Sequence, residues 1–417
     1  MDLKKEIKLS DLLPKRRKQD VADEPNAPKP ERKRRFARKP KDAEAAAAQP
    51  AKAPKAAKPK RERSTRTKKV VGLKIGASQI AAARVVNNGA PELVQVAREE
   101  LDSGLVVGGE LRGSEELAAA LRDFFRKHKL PRQNVRLGIS NNRVGVRTFE
   151  IAGIHDEKQL ANAVRYRAQE TLPIPVEEAV LDYQILGERV DEEGVLHRRV
   201  LLVVAYRDLI DRYVAACRKA GIKLVGIDLE AFAILRALAP PPTPEPASSA
   251  IVVVSVGHDR TTFAVSDGQT CQFTRVLDWG GGSLDTSIAK ALDLSPSEAQ
   301  PIKLALSLSE PSIPAGLSSE QAEQVREAVL RDVHEFAREL VSSLQFYQSQ
   351  PGSLGIGEIV LTGGTAQLPG FAAELSRLLG VRTRVGDPLT HIKVGKKVDR
   401  EQHLGSLTAA IGLGIEL

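Results

Sequence analysis

Cysteine, methionine and tryptophan are nearly absent: the 417 residues hold two Cys, one Met and one Trp. Two cysteines, Cys217 and Cys271, exclude a disulfide framework and a Cys-rich zinc site, and read as small buried apolar groups in a reducing compartment. The seven histidines form no HxxxH or HxH pair, so they indicate no metal site. Long apolar runs are missing as well: the longest, Val200–Tyr206, falls far short of the ~18–20 residues that span a bilayer. The N-terminus carries no apolar core of a secretory signal. These absences lead us to expect a cytosolic chain with no membrane span of its own.

Charge is present but unevenly placed. Residues 1–69 hold 24 Lys and Arg against 10 Asp and Glu, whereas the rest of the chain holds 38 against 43. The positive excess is thus confined to the first sixth of the chain, which argues against a basic folded nucleic-acid-binding domain, and no specific nucleic-acid partner is expected. From Asp20 to Lys69 the sequence is rich in Pro, Ala, Lys and Arg with Phe36 as its only aromatic, too little apolar surface to offset chain entropy. We expect a disordered basic tail over 1–69, reaching roughly 45 Å if it behaves as a flexible coil. Within it, residues 3–18 differ. Ile7, Leu9, Leu12 and Leu13 interleave with charge, Pro14 stops the segment, and the basic run Lys15, Arg16, Arg17 and Lys18 follows. Such an amphipathic segment suits a partner's groove or an anionic membrane surface.

After Lys69 strand-like and helix-like patterns alternate to Leu417. Val70–Ile75 is an apolar strand entering a Gly-Ala-Ser turn, with Ile80–Val86 as its hairpin partner. Leu117, Leu121, Phe124 and Phe125 share a helical face, as do Leu160, Val164 and Ala168; Leu209, Ile210, Tyr213, Val214 and Cys217 form a third stripe. Val135, Leu137 and Ile139 alternate as in a strand, and the run Val200–Ala205 suits a buried central strand. Prolines crowd Ala239–Ser249, and beyond them the opening pattern recurs: strand Ile251–Val256, a Gly turn, strand Thr261–Val265. A long helix near 320–349 carries Val325, Val329, Val333, Phe336, Leu340, Leu344 and Tyr347 on one stripe. Two halves that open alike suggest a duplicated α/β architecture with a cleft between them.

Three glycine turns each follow an apolar strand: Lys74-Ile75-Gly76-Ala77-Ser78, Ser255-Val256-Gly257-His258-Asp259 and Leu361-Thr362-Gly363-Gly364-Thr365. Glycine lets backbone N–H groups approach a phosphate and small hydroxyls add donors, so such turns can clamp an anion.

In that order the turns resemble those of the actin, Hsp70 and sugar-kinase superfamily of nucleotide-binding proteins. Within it the chain is similar to the PilM family of type IV pilus assembly proteins, relatives of the cell-division protein FtsA. The likeness covers about residues 70–417 and is carried by VVGLKIGASQI (70–80), ETLPIPVEEAVLDYQIL (170–186), AGIKLVGIDLEAFAILRAL (220–238), GGGSLDTSIAKALDLSPSEAQPIK (280–303) and IVLTGGTAQLPGF (359–371). The resemblance implies an α/β actin-like fold of the duplicated, ribonuclease H-like kind. The first half would be 70–145, a small α+β subdomain would be inserted at 146–226, residues 227–249 would return to the first half and form a Pro-rich linker, and 250–417 would be the second half.

It also implies a site. Gly76, Ala77, Ser78 and Gln79 of the first turn, with Gly257, His258, Asp259, Arg260, Thr261 and Thr262 of the second, would embrace the phosphates of ATP. Gly363, Gly364 and Thr365 would flank the nucleoside, with Gly281 and Gly282 nearby. Both family phosphate turns open with an aspartate that helps hold magnesium; this chain has Lys74 and Ser255 there. Losing both carboxylates removes the obvious means of placing Mg2+. The Lys74 ammonium is a candidate to stand in for the metal's charge. The expectation is ATP binding without efficient hydrolysis, or an empty pocket, with no catalytic residue. Asp259 reads as a turn residue bonded to its own backbone. Asp228 and Glu230 read as cleft-wall or helix-start residues, Trp279 as a core ring, and Asp278 as a carboxylate of open role.

For function, the resemblance implies a cytoplasmic scaffold, peripheral at the inner face of the cell membrane, in a type IV pilus or related secretion or competence platform. Its partner would be the cytosolic N-terminal peptide of a PilN-like inner-membrane protein, held between the first half and the inserted subdomain, with other platform components or the pilus motor ATPase as further partners. The tail segment 7–18 looks like that partner peptide itself. The alternatives are an active actin-like ATPase and an FtsA-like membrane-associated filament protein.

Overall fold

The computed structural model describes residues 68–171, 175–241, 247–310, 313–350, 352–399 and 404–416. The expectations for the tail, from Ile7 to Lys18 and over 1–67 as a whole, and those for residues 242–246 of the Pro-rich linker, lie outside the described residues.

The first half opens with an antiparallel meander of β1 (Lys68–Ile75), β2 (Gln79–Asn88) and β3 (Ala90–Glu100). A two-residue hairpin follows, β4 (Val106–Val107) and β5 (Glu110–Leu111), and then helix α1 (Ser114–Lys127). Strand β6 (Val135–Ile139) returns parallel to β1. Next come β7 (Val144–Ala152), α2 (Glu157–Thr171), β8 (Ala179–Val190) and β9 (Leu196–Tyr206), whose strands make an antiparallel sheet of their own in the order β7-β9-β8. Helix α3 (Arg207–Lys219) leads to β10 (Leu224–Leu229), parallel to β6, and α4 (Glu230–Leu238) closes the half.

The second half repeats the plan with β11 (Ala250–Val256), β12 (Thr261–Ser266), β13 (Cys271–Leu277), α5 (Gly281–Leu292), α6 (Pro296–Ala305), α7 (Ser319–Gln348), β14 (Ile356–Thr362), α8 (Phe371–Leu379), β15 (Thr383–Val385), β16 (Lys393–Val394) and α9 (Thr408–Gly414). Its sheet order, β13-β12-β11-β14-β15, copies β3-β2-β1-β6-β10 strand for strand and direction for direction. β16 crosses back to pair with β3 at the edge of the first sheet. This is the duplicated α/β architecture that the recurring strand–turn–strand pattern suggested, in the actin-like form that the resemblance implied.

Burial follows from how many faces are covered. All seven residues of β11 are buried. Val252, Val254 and Val256 meet residues of α5, α7 and α8, and Ile251 and Val253 join the core of the first half. The α7 stripe from Val325 to Tyr347 is buried as its spacing demands. The run Val200–Ala205 is indeed buried and central, though in the small antiparallel sheet. β6 departs from the expected alternation, since Arg136 is buried too. Its guanidinium donates to the carbonyls of Leu413 (2.9 Å) and Ile415 (3.1 Å), so the C-terminal segment satisfies it.

Helices α4 and α9 end their respective halves and are exchanged: α9 packs on β1, β2 and α4, while α4 packs on β11 and β12. The approach is close enough to require glycine. A Cβ at Gly412 would lie 1.8 Å from the Ala233 carbonyl oxygen, and one at Gly72 would lie 2.0 Å from that of Ala410.

Two outcomes are expected. Gly412→Ala drives a methyl into backbone that cannot yield and lowers stability by more than about 3 kcal/mol in urea denaturation, whereas Gly187→Ala, with nothing within 4 Å, shifts it by under about 1 kcal/mol. Cys217 and Cys271 are both buried, and desolvation pushes each thiol up to about 12. Thiol reagents at pH 8 should therefore label neither cysteine in the native protein and both in guanidinium.

Candidate functional site

Lys74 and Ser255 occupy the same place, one residue before the end of the first strand of each half. Lys74 lies in register with Ala81 and Gly138, Ser255 with Thr262 and Thr362. One half therefore carries a cation where the other carries a row of hydroxyls. That row extends through Thr362 to Thr408, their oxygens 2.6 Å apart, and Thr262 meets Ser140 of the first half at 2.7 Å. The strand ends of the two sheets thus meet at Ser140 and Thr262.

The Lys74 ammonium is not free. Its Nζ lies 3.3 Å from Glu230 Oε2, with the two side chains only 14 and 6 % exposed. Glu230 opens α4, as its sequence context suggested. Asp228 is ion-paired with Arg236 and accepts the Leu229 N–H at 2.8 Å. Both acids at this end of the first sheet are thus matched by bases. Among the described residues no group of three or more His, Cys, Asp or Glu could hold a metal ion. The donor set fits an anion better than Mg2+.

The two strand–turn–strand corners close identically, Gly76 N–H onto Gln79 O and Gly257 N–H onto Arg260 O, both at 2.9 Å. Among the described residues the N–H groups of Ala77, Ser78, His258 and Asp259 have no acceptor within the chain. These are the groups an anion can use. The second corner gathers the other glycine stretches around it. Gly281 and Gly282 N–H donate to the carbonyls of Gly257 (2.9 Å) and His258 (2.8 Å), so the start of α5 is fixed to the corner. Thr365 Oγ1 donates to the Gly257 carbonyl at 3.2 Å, and Gly363 N–H to Gly405 O at 3.2 Å. Residues 257–260, 281–282 and 363–365 are therefore brought together. Gly76, Ala77, Ser78 and Gln79 stand outside that cluster, anchored by the Leu101 N–H to the Ser78 carbonyl.

The Asp259 expectation is corrected. Its carboxylate does not serve its own turn, because the turn is already closed backbone to backbone; Oδ2 instead accepts the Gly108 N–H at 3.0 Å, from the β4–β5 hairpin. Arg260 Nη2 stands 3.2 Å from Asp278 Oδ1, which gives that carboxylate its role. Trp279 is a core ring: it stacks on Phe336 at 3.9 Å and donates its indole N–H to Asp332. Sequence reasoning missed Lys303 as a site residue. Its Nζ donates to Gly281 O (2.9 Å) and Asp285 Oδ2 (2.6 Å), beside Thr365. Only the fold of α6 back onto α5 places it there, and the one signal was its position closing the 280–303 stretch.

Comparison with known proteins agrees with the fold. The family described as type IV pilus assembly protein PilM matches residues 72–416. A solved PilM-PilN type IV pilus biogenesis complex superposes with a TM-score of 0.69 at 25% identity, covering 83% of this chain and 97% of that one. The cell division protein FtsA of Escherichia coli K12 is 26% identical over 368 residues, 78% of this chain and 86% of FtsA. FtsA of Bacillus subtilis is 21% identical over 322 residues, 67% of this chain and 70% of that protein.

The Lys74–Glu230 pair predicts a paired mutational response. Lys74→Met leaves a buried carboxylate without its counter-ion and costs about 3–5 kcal/mol, while Lys74→Met with Glu230→Gln recovers most of the loss, read by urea denaturation.

Proposed function

Since the chain belongs to the PilM family of type IV pilus assembly proteins, we propose that it is a cytoplasmic scaffold of the inner-membrane platform of such a machine. On this reading it binds the cytosolic N-terminal peptide of a PilN-like membrane protein. The observation that carries the reading is the likeness, over nearly the whole of the compared chain, to a PilM captured with PilN. The small β7-β9-β8 sheet offers a fitting surface: β8 is an edge strand, and Tyr166, Ile185 and Val190 are exposed. An extended apolar peptide gains main-chain hydrogen bonds and side-chain pockets on such an edge.

The cleft, on the same reading, holds ATP without turning it over efficiently. The unpaired N–H groups of the two corners support an anion there, and Lys74, its charge balanced by Glu230, stands where the family places a carboxylate. Phosphoryl transfer needs a metal to neutralise developing charge and a residue to orient the nucleophile. Here the nearby acids, Asp228 and Glu230, are already held by Arg236 and Lys74. The basic tail, through Ile7, Leu9, Leu12 and Leu13 with Lys15–Lys18, would add contact to a platform partner or the anionic leaflet.

Calorimetric titration of the full chain tests both parts. The expected result is saturable binding of a synthetic peptide spanning the PilN-like partner's cytosolic segment. ATP should bind with an affinity that is the same with and without Mg2+, and without phosphate release. No peptide binding removes the scaffold reading; magnesium-dependent ATP binding with turnover replaces the degenerate cleft by an active ATPase.

A further inference from the structure

The β4–β5 hairpin is a two-residue turn made by Gly108 and Gly109, both at positive φ (59° and 68°), the geometry that glycine supplies without strain. Three of its backbone groups are occupied. Asn141 donates to the Gly108 carbonyl at 3.1 Å and Tyr213 to the Gly109 carbonyl at 3.2 Å, both from the first half. The Gly108 N–H goes across to Asp259 of the second half at 3.0 Å. The adjacent Arg260 guanidinium lies against the same two glycines: a Cβ at Gly108 would stand 2.7 Å from Nη2, and one at Gly109 3.5 Å from Nη1. Among the described residues Arg260 Nε and Nη1 are buried with no acceptor, and Nη2 alone has a partner, the largely exposed Asp278.

A buried guanidinium with two unsatisfied N–H groups carries a desolvation cost that an anionic oxygen would relieve. Arg260 belongs to the corner whose His258 and Asp259 N–H groups are also unpaired. Yet the hairpin covers it, and the Asp259 carboxylate, which would repel a phosphate at the corner, is kept at the site by Gly108. We infer that the Gly108–Gly109 turn is an autoinhibitory clasp on the second glycine corner. In this closed state it sequesters Arg260, and a phosphate group entering the cleft must break the Asp259–Gly108 bond to recruit the guanidinium, which frees the two halves to hinge. The inference rests on the reading of the cleft as an ATP site and adds how occupancy is controlled.

Two variants of the full chain release the clasp by different means. Gly108→Asn keeps a residue that tolerates positive φ but pushes its Cβ onto the flexible end of Arg260. Asp259→Ala removes the acceptor. Thermal melts check that each remains folded. ATP binding is measured by calorimetry without Mg2+. The separation of the halves is measured without ligand by spin labels on cysteines introduced at Asp123 and Glu327, both exposed and on different halves; the buried native cysteines stay unlabelled. The expected result is about tenfold tighter ATP in both variants and a broader inter-half distance distribution. With ATP bound by the parent chain, unchanged distances in the variants, or an affinity no higher than that of the parent, overturn the clasp while leaving the cleft reading in place. Broadened distances with no ATP binding by any of the three proteins overturn the cleft reading, and the phosphate role of the clasp with it.

Discussion

The two halves are held to one another by exchanged helices, and the rest of the molecule is arranged around that exchange. α9 belongs to the second half in sequence but lies on the first sheet, and α4 does the reverse. Their approach leaves no room for side chains at Gly72 and Gly412, where backbone meets backbone carbonyl. Arg136, buried in the middle of the first sheet, donates to carbonyls just beyond and within the same C-terminal helix. Packing at this density stores no slack, so the halves cannot slide past each other there.

The duplication makes the chemistry of the corners readable as a difference. Strand order, direction and turn closure are the same in both halves, so divergence between equivalent residues reflects what each corner does rather than how it folds. At the position before the last strand residue one half has a buried ammonium and the other a hydroxyl among hydroxyls. A buried cation needs an anion within reach, and Glu230 provides it at the start of α4, where a carboxylate also suits the helix dipole. A hydroxyl needs no counter-charge, and the second corner accordingly has a neutral row running to Thr408. Asp228 and Glu230 are each held by a base at the first corner, and the row beside the second is of hydroxyls, which is the basis of the proposed reading of the site as one that recognises charge.

Much of this was legible in the sequence, for physical reasons that also explain the rest. Elements with a single covered face announced themselves: every residue of the stripes of α1, α2 and α7 is buried, and in α3 all but Val214, which is half-buried. β11 showed as an apolar strand interrupted by Ser255, and both of its faces are covered. The duplication could be seen because each half begins with the same strand, turn and strand. What could not be seen was anything set by long-range approach. Arg136 looked like the polar position of an alternating strand, since its partners lie nearly 280 residues away. Asp259 looked like a turn residue, because nothing local shows that a hairpin 150 residues earlier will present an N–H to it. Lys303 carried no local signal of its contacts, because only the fold of α6 back beside Gly281 brings it to the corner. Glycine spacing located the corners; only the fold could say which side chains close around them.

The position of the small sheet connects the corners to the surface proposed for the partner peptide. β7 lies alongside β13 at the edge of the second sheet, and Arg199 of β9 reaches across to Gln272 of β13. The same sheet is rooted in the first half through α3, whose Tyr213 supports the β4–β5 turn. A pivot of one half against the other must therefore either strain the β7–β13 contact or carry the small sheet along. The sheet is covered on both faces, by Leu160, Val164 and Ala168 of α2 on one and, through Val146, Val180, Leu201 and Val203, by the core of the first half on the other, so it is poorly placed to absorb such strain. On the proposed reading of the cleft and the peptide edge, a change at the second corner reaches the sheet that carries that edge through the β7–β13 contact. Coupling of this form needs no catalysis: it requires only that the ligand of the cleft bind one angle of the halves better than another.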